Sequence, residues 1–433
     1  MFELEFLSSE LIKPSSPTPP HLSKLQFSFL DQNQCIVSMP FVLFYEKSNN
    51  FTNFQRCNLL KHSLSEALTI FYPLAGRINN YSYADCNDQG ALFIETKANC
   101  QLSDILRNRN QYHNHSKKFI PLQPDKGTHQ YGSLFQITYF NCGGLAISFA
   151  MPHMLGDALS QFIFLTSWAA IARGDAIEIP TFGSASIFPP RNISGFDFSQ
   201  WVFKENLVTK LFVFDASTIS ALREKYSGNG EKLSRVQALS VFILSRIMAS
   251  ISQAASISQA KEGENNSRFM VFNAVNVRPL LDLKQTFGNL LWPAAAVIEI
   301  GKEDEIGRRI KDSITSVNAE SVKKLHNEEE LNFLNETVSI DSLKGEIDKY
   351  TFSSLCNFPV YDTDFGWGKP EWVTTSGMVF DNLVIFVDTK EGRGIEAWIS
   401  MTEEDMAKFE NDKQVISHVS SAPNGNPNFN SRL

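Results

Sequence analysis

Hydrophobic and polar residues alternate in short runs over residues 24–45, which is the period-two pattern of β-strands joined by turns. The pattern changes to that of a helix over residues 56–71, and Pro73 followed by Gly76 predicts where this helix ends. A strand pattern returns at residues 90–97, so strands and helices are mixed from the start of the chain. The apolar face of the predicted helix carries Leu59, Leu60, Leu64 and Leu68.

A strand pair with a tight turn is predicted within residues 135–157. The turn falls at residues 141–144 (NCGG), because glycine supplies the positive φ angles that a short hairpin needs. The second strand stops at a proline, which places His153 at the end of a strand. Asp157 then stands at the N-cap of an apolar helix that is predicted to end at Gly174.

Residues 183–200 are rich in Ser, Pro, Gly and Asn with little charge, and we interpret them as a crossover between two halves. The second half again mixes strands with helices, without a dinucleotide-binding or P-loop glycine signature. The sequence therefore predicts a mixed α/β fold. The predicted strands are 210–215, 269–277 and a hairpin over 383–401 that turns at 391–394, and the predicted helices are 234–250 and 303–334.

The length of the chain predicts more than one domain. A chain of 433 residues is too long for a single core, so two domains of roughly 200 residues each are expected. We place the first domain at residues 1–182, the crossover at 183–210 and the second domain at 211–433. A segment near residues 373–400 could pack with the N-terminal domain.

Composition excludes several classes of protein. The formal net charge is -8 at pH 7 and no run of Lys and Arg is present, which argues against a nucleic-acid partner. The 35 phenylalanines predict large aromatic cores or an apolar ligand channel. No apolar stretch approaches the roughly 20 residues that span a bilayer, and the first residues lack the bases of a secretory signal. Residues 431–433 (SRL) are similar to a peroxisomal address, but the cytosol is the favoured compartment.

The six cysteines show no CxxC spacing, so we expect reduced thiols rather than a disulfide framework or a zinc site. No other set of metal ligands can be recognised, and we predict no metal. The cysteines are Cys35, Cys57, Cys86, Cys100, Cys142 and Cys356.

His153 is the best placed of the eight histidines to act as a general base. Acyl transfer to a hydroxyl needs such a base, together with donors for the developing oxyanion. An unperturbed imidazole has a pKa of about 6.5 and is largely neutral, hence basic, at cytosolic pH. A packed or capping histidine is the alternative, because a His with an Asp four residues later arises easily by chance.

Two motifs together resemble those of the BAHD acyltransferases of plants. HMLGD at residues 153–157 matches the HxxxD pattern of that family, and DFGWG at residues 364–368 matches its second hallmark. The order and separation of the two motifs make the pair much more specific than either motif alone. The resemblance covers nearly the whole chain, through FYPLAGR at 71–77, NVRP at 276–279, FGN at 287–289 and YDTDFGWGKP at 361–370. Within the family, LIKPSSPTPP, FYPLAGRIN, DCNDQG and YDTDFGWGKP resemble the alkaloid O-acetyltransferases.

The resemblance implies two domains like chloramphenicol acetyltransferase, each a mixed sheet with helices, and an active-site channel at their interface that contains His153. Acyl-CoA would enter from one face and an alcohol from the other. His153 would take the hydroxyl proton while the oxygen attacks the thioester, with no covalent acyl-enzyme and no metal. Acetyl-CoA is the expected co-substrate, no cofactor is bound permanently, and a monomer without membrane or nucleic-acid partners is expected.

The resemblance also assigns roles to other residues. Asp157 is expected to orient or stabilise the site by pairing with Arg278, which is compatible with its position as an N-cap. A direct charge interaction between Asp157 and His153 is the less favoured alternative. Asp364 is expected to be supportive, and a tight turn is predicted because two glycines flank the tryptophan of that motif. The structural residues of the motif are Gly366, Trp367 and Gly368.

Four residues in segments that match the family are candidates for binding coenzyme A: Ser234, Arg235, Ser353 and Ser354. Ordinary surface or capping positions are an equally good interpretation of each. The chain reads VNVRPLLD, where relatives often carry a second basic residue after the arginine, which leaves the residues that contact phosphate undecided.

Other functions remain as alternatives. A serine hydrolase is disfavoured, because the chain contains no GxSxG nucleophile elbow. A homologue that has lost acyl transfer and acts as a ligand-binding or scaffold protein is a second class. A malonyl or aromatic acyl donor could also replace acetyl.

Overall fold

The computed structural model describes residues 2–35, 37–79, 82–109, 116–121, 131–191, 206–227, 232–257, 268–299, 302–325, 347–375 and 380–420. The chain forms two compact units, each a mixed β-sheet with helices. The first unit consists of Met1–Ser199, Asp282–Leu290 and Asn357–Gly377. The second unit consists of Gln200–Leu281, Leu291–Cys356 and Met378–Leu433.

The elements of the first unit in the N-terminal part of the chain are β1 (Leu4–Ile12), β2 (Lys24–Gln26), α1 (Phe29–Gln32), β3 (Ser38–Tyr45), α2 (Asn53–Ile70), β4 (Arg77–Asn79), β5 (Tyr83–Asp85), β6 (Ala91–Ala98), α3 (Leu102–Arg107), β7 (Leu134–Tyr139), β8 (Leu145–Pro152), α4 (Ala158–Arg173) and α5 (Ser184–Ile187). The elements that follow are β9 (Leu207–Phe214), α6 (Ala216–Tyr226), α7 (Arg235–Ile257), β10 (Arg268–Asn276), α8 (Arg278–Leu281), β11 (Leu291–Glu299), α9 (Ile306–Ser316), α10 (Ala319–Lys324), β12 (Ile347–Ser354), β13 (Trp372–Thr375), β14 (Leu383–Asp388), β15 (Ile395–Thr402), α11 (Glu403–Glu410) and α12 (Lys413–His418).

The first unit contains a six-stranded sheet in the order β1-β6-β7-β8-β3-β13 and a small three-stranded sheet in the order β2-β5-β4. Only β6 and β7 run parallel within the six-stranded sheet, and the other neighbours are antiparallel. All eight residues of β8 are buried, and Trp168 of α4 donates its indole N–H to Ser63 of α2 at 3.0 Å. The rings of Phe135 and Phe149 stack at 5.1 Å between centroids, which shows where part of the phenylalanine content is used.

The second unit contains a six-stranded sheet in the order β11-β10-β12-β14-β15-β9. The three central strands β10, β12 and β14 are parallel, and the outer pairs are antiparallel. One face of this sheet packs against the apolar side of α7 and α9, because alternate strand residues such as Phe269 and Val271 point toward these helices. Buried residues of α7 in this core include Leu239, Phe242 and Ile243.

Most elements predicted from the pattern are confirmed. In the first unit these are α2, β6, the hairpin of β7 and β8, and α4, which ends at a left-handed Gly174. In the second unit they are β9, α7, β10 and the hairpin of β14 and β15. The charged helices predicted at 303–334 correspond to α9 and α10 as far as residue 325, and the rest of that range lies outside the described residues.

The prediction of strands alone over residues 24–45 is wrong for residues 29–32, which form α1. Ser28 and Asp31 make a reciprocal capping box: the Ser28 hydroxyl accepts the Asp31 N–H at 3.1 Å, and the Asp31 carboxylate accepts the Ser28 N–H at 2.9 Å. This arrangement satisfies amides at a helix start, so the turn is helical despite its strand-like composition.

The predicted domain boundaries differ from the observed units. Residues 282–290 and 357–377 belong to the first unit, although 211–433 was predicted as one domain. The reason is backbone pairing between distant segments, since β13 is antiparallel to β3. Of the segment near 373–400, β13 joins the first sheet, whereas β14 and β15 lie in the second.

Three further findings concern the residues that the structure describes. None of their helices is long and apolar enough to span a membrane. Within the same ranges, His, Cys, Asp and Glu side chains form no group of three that could hold a metal ion. All six cysteines are free thiols. The tripeptide at 431–433 lies outside the described ranges, so its interpretation as an address stays a prediction.

Candidate active site

His153 follows the last residue of β8 and begins a short 3-10 turn, His153–Leu155. Its backbone N–H donates to the Val37 carbonyl at 3.0 Å, which fixes the chain where the buried strand ends. His153 as a whole is partly buried. The prediction that His153 stands at the end of a buried strand is therefore confirmed.

The imidazole of His153 has a defined hydrogen-bond partner, since its Nδ1 lies 3.0 Å from the Oδ1 of Asn289. The amide nitrogen of Asn289 faces acceptors: the Asp31 carboxylate at 2.9 Å and the His153 carbonyl at 2.8 Å. The amide oxygen is thus the atom that faces the ring, and an oxygen can only accept. The proton of the neutral imidazole is therefore on Nδ1, which leaves the lone pair on Nε2.

Asp31 is the buried carboxylate behind Asn289, with 3 % of its surface exposed. Its Oδ1 accepts the backbone and side-chain N–H groups of Asn289 at 2.7 and 2.9 Å. Its Oδ2 accepts from the Ser28 backbone and hydroxyl at 2.9 and 2.6 Å, and from the Ser184 hydroxyl at 3.2 Å. Burial raises the pKa of Asp31, and these hydrogen bonds act against that effect. Backbone amides donate to both oxygens, an arrangement that favours the ionised form of the carboxyl group.

Burial also governs the acidity of the imidazole. It lowers the pKa of His153 below the ordinary value of 6.5, while Asp157, Asn289 and Asp31 act in the opposite direction. The ring is therefore neutral at neutral pH. Among the residues that the structure describes, the ring makes its side-chain hydrogen bond through Nδ1, and no hydrogen bond to Nε2 is observed. A neutral ring with a lone pair on Nε2 is what a general base needs.

Asp157 is the N-cap of α4, as predicted. Its Oδ1 accepts the Ser160 N–H at 2.9 Å, and its Oδ2 accepts the Leu290 N–H at 3.1 Å. Both oxygens therefore bind backbone amides, one from the helix and one from the segment that carries Asn289. Arg278 is buried and its Nη1 donates to the Asn276 side chain at 3.4 Å. The pairing of Asp157 with Arg278 stays a prediction.

The DFGWG motif forms the predicted turn. Gly366 and Gly368 have φ angles of +101° and +107°, which lie in the region that favours glycine. A single oxygen of Asp364, Oδ1, accepts both of their N–H groups at 2.8 and 2.9 Å. The Asp364 carbonyl accepts from Arg173, the last residue of α4. Because α4 has 16 residues, it is about 24 Å long, so this turn contacts the end of the helix that is distant from Asp157.

Aromatic rings and a buried arginine hold the DFGWG turn in place. The Arg56 guanidinium lies over the Trp367 ring at 4.8 Å and donates to the carbonyls of Gly143 and Glu46. Burial lowers the pKa of Arg56 to about 10. The Tyr45 hydroxyl donates to the Thr363 carbonyl at 2.8 Å. The sequence did not single out Arg56 or Tyr45, because an arginine within an apolar helix pattern normally points to solvent.

The four candidates for coenzyme A binding all lie in the second unit. Ser234 and Gln237 exchange capping hydrogen bonds at the start of α7. Arg235 forms an ion pair with Asp388 at 2.9 Å. The Ser354 hydroxyl accepts the Cys356 N–H at 3.3 Å, and Ser353 is the preceding residue of β12.

Burial raises the pKa of Cys356 to about 12, and Ser354, Asp388 and Arg235 also influence this thiol. The structure thus brings Arg235 and Ser354 into one neighbourhood, and it gives Ser234 a capping role. Arg235 already has a carboxylate partner, which weakens its use as a phosphate ligand.

Comparison with known proteins identifies the family of this chain. A sequence profile of the transferase family matches residues 2–416. A limonoid 1-O-acetyltransferase of Citrus sinensis is 34 % identical, over 96 % of this chain and 98 % of that protein. The chain belongs to the BAHD acyltransferase family. As a BAHD member it is an acyl-CoA-dependent acyltransferase, which confirms the family and the kind of enzyme predicted from the two motifs.

Two other BAHD relatives are alkaloid enzymes. Stemmadenine O-acetyltransferase of Catharanthus roseus is 35 % identical, over 95 % of this chain and 97 % of that protein. The crystal structure of vinorine synthase matches with a TM-score of 0.82 at 33 % identity, over 98 % of this chain and 100 % of that chain. This match confirms the predicted α/β two-domain fold. The predicted channel between the domains and the roles of the site residues stay predictions.

Proposed function

We propose that this BAHD enzyme transfers an acetyl group from acetyl-CoA to a hydroxyl of a plant specialised metabolite such as a monoterpene indole alkaloid. The names of the relatives support acetyl as the acyl group and an alkaloid or limonoid alcohol as the acceptor. The observation that carries the catalytic assignment is the hydrogen bond from His153 to Asn289, since it leaves the Nε2 lone pair of a neutral imidazole available.

The proposed reaction has two stages and needs no acyl-enzyme. His153 Nε2 takes the proton of the acceptor hydroxyl while the oxygen attacks the thioester carbonyl, which forms a carbon–oxygen bond and a tetrahedral oxyanion. Collapse of this intermediate breaks the carbon–sulfur bond. The coenzyme A thiolate then receives the proton from the imidazolium, so that ester, free thiol and neutral His153 are the products.

Asp157 supports this reaction through the backbone. Its two oxygens tie the start of α4 to Leu290, which follows Asn289 directly in the chain. Asp364 contacts the other end of α4 and is therefore a structural residue in the proposed mechanism. For coenzyme A we retain Ser234, Arg235, Ser353 and Ser354 as candidates, with Arg235 acting only if a phosphate competes with Asp388.

Two alternatives are tested by the same assay. A non-transferring homologue would bind acyl-CoA or an alcohol without releasing thiol. An enzyme with another donor would release thiol from malonyl-CoA or an aromatic acyl-CoA faster than from acetyl-CoA. A cytosolic monomer remains the expected form of the protein.

The experiment measures thiol release and ester formation with acetyl-CoA, malonyl-CoA or an aromatic acyl-CoA as donor and a panel of hydroxylated indole alkaloids and limonoids as acceptors. We expect His153→Ala to lower kcat by roughly a hundredfold or more, the usual contribution of a general base. His62→Ala is the matched control, because His62 lies on the exposed side of α2 with 78 % of its side chain accessible. A His153→Ala variant with a wild-type rate would refute the assignment.

A further inference from the structure

Asn289 has a fixed orientation, which distinguishes it from an ordinary loop asparagine. Its side-chain nitrogen donates to Asp31 Oδ1, to the His153 carbonyl and, at 3.4 Å, to the Met154 carbonyl. A flipped amide would turn its oxygen toward these three acceptors, so each of them would lose the Asn289 donor and face a second oxygen instead. The side chain is fully buried, so water cannot compensate for such a flip.

Asp31 holds Asn289 at two points, since one of its oxygens accepts both the backbone and the side-chain N–H of Asn289. The second oxygen is occupied by Ser28 and Ser184, so the carboxylate cannot rotate without loss of these bonds. The capping box of α1 thus has a second consequence. It places a carboxyl oxygen against the amide nitrogen of Asn289, so that the amide oxygen faces His153.

The backbone around Asn289 is held as well. Gly288 has a φ of +134°, and a Cβ atom there would lie 3.1 Å from the Ser184 hydroxyl, so glycine fits this close approach best. The Ser160 hydroxyl exchanges hydrogen bonds with the N–H and carbonyl of Gly288 at 3.0 and 2.8 Å. Ser160 and Asp31 both hold the backbone at this point, and Asp31 also orients the side chain of Asn289.

We propose that Asn289 and Asp31 are positioning residues that select the Nδ1-protonated tautomer of His153 and so direct its lone pair at Nε2 toward the acceptor hydroxyl. The inference rests on the proposed role of His153 as general base. It adds two residues of the chain that the HxxxD and DFGWG motifs do not contain. Neither residue touches the reacting atoms in this proposal, and each acts through His153.

A purely structural role for Asn289 predicts different behaviour. If Asn289 only anchored its loop, its loss would reduce stability without changing which ring nitrogen carries the proton. Nitrogen-15 NMR of histidine-labelled full-length protein separates the two cases, because protonated and unprotonated ring nitrogens resonate far apart. The His153 signals are assigned by their absence from the His153→Ala variant.

In wild type at neutral pH we expect the proton of His153 on Nδ1. In Asn289→Leu we expect this tautomer to lose its dominance and kcat to fall by about 10- to 100-fold with the KM for acetyl-CoA within about twofold, the usual scale for partners that orient a functional group. Asn289→Asp should keep the Nδ1 proton and recover most of kcat, since its carboxyl accepts from Nδ1 and shares one proton with Asp31.

Ser160→Ala is the matched control, because it loosens Gly288 without removing the amide that faces the ring. We expect it to lower the melting temperature and to leave the tautomer unchanged. A wild-type proton on Nε2, an unchanged tautomer in Asn289→Leu, or a switched tautomer in Ser160→Ala would each overturn the inference. Failure of the proposed function is a separate result, since it would appear as a wild-type rate in His153→Ala.

Discussion

The HMLGD and DFGWG turns contact opposite ends of α4, and each turn is held by an aspartate that accepts hydrogen bonds from the backbone. In each turn an aspartate binds two backbone amides, but Asp157 uses both oxygens and Asp364 uses one. Beside Asp157 the imidazole of His153 keeps its Nε2 lone pair. Beside Asp364 aromatic rings and Arg56 fill the space. Similar local chemistry therefore builds a reactive site at one end and a structural clamp at the other.

The difference lies in what surrounds each aspartate. Asp157 is 4 % exposed and joins segments that are 133 residues apart, so its loss leaves buried amides without acceptors. Asp364 is partly exposed and closes a local turn, where water can replace the carboxylate. A sequence motif can thus be recognisable either because its residues stabilise the fold or because they take part in the reaction. The burial of its aspartate and the presence of an available lone pair beside it distinguish these two cases.

The largest predicted effect on stability is that of Asp157→Ala. We expect it to lower the free energy of unfolding by about 3 kcal/mol, since a helix cap is lost and the Leu290 N–H is left unpaired. Asp215→Ala is a matched control, because Asp215 caps α6 from an exposed position and should cost only about 1 kcal/mol. Denaturant unfolding measures both. A stable but inactive Asp157→Ala enzyme would show that Asp157 acts on the chemistry.

Beside the DFGWG turn, Arg56→Leu should lower the free energy of unfolding by about 2 kcal/mol. The change removes the cation–π contact with Trp367 and the guanidinium that donates to two backbone carbonyls. Arg77→Leu is a close match, since Arg77 lies over Tyr131 at 4.3 Å and donates to two carbonyls. Only Arg56→Leu should also change tryptophan fluorescence, through Trp367. Equal spectra for both variants would contradict the proposed clamp.

Asparagine substitutions provide a finer comparison of the two aspartates. Asp157→Asn should cost about 1 to 2 kcal/mol, because the new amide group must face a backbone N–H with its own donor. Asp364→Asn should change stability by less than about 0.5 kcal/mol, since one retained oxygen serves both glycine amides. Thermal unfolding of the two variants side by side is the measurement. Equal losses of stability would contradict the inference that Asp157 uses both carboxylate oxygens whereas Asp364 uses one.

The sequence predicted the parts of this comparison that are local. The cap at Asp157, the stop at Gly174 and the turn around Trp367 each depend on residues within a few positions, so propensity and spacing suffice. Asp31 was missed, because its contact with Asn289 spans 258 residues. One local signal was available, since Ser28 and Asp31 have the spacing of a capping box.

The domain boundaries could not be predicted for the same physical reason. β13 joins the first sheet through backbone hydrogen bonds to β3, and no pattern within either strand specifies its partner. Residues 282–290 likewise belong to the first unit through contacts such as Gly288 with Ser160. Pairing between distant segments also places Asn289 beside His153, which is why this part of the candidate site emerged only from the structure.

The smallest predicted effect is a shift of pH dependence, and it tests whether Asp157 and His153 are coupled by charge. Burial lowers the pKa of His153 below 6.5, so the acid limb of kcat/KM should have an apparent pKa below that value. The unfolded chain binds this proton below pH 6.5 whereas the folded chain resists it, so stability should also fall as pH falls through this window. Rate profiles from about pH 8 to about pH 5 give the first measurement, and melting temperatures of wild type and His153→Asn give the second. An acid limb above 6.5 would mean that a carboxylate stabilises the imidazolium, and a return of the limb below 6.5 in Asp157→Asn would then identify Asp157 rather than Asp31 as the charge partner.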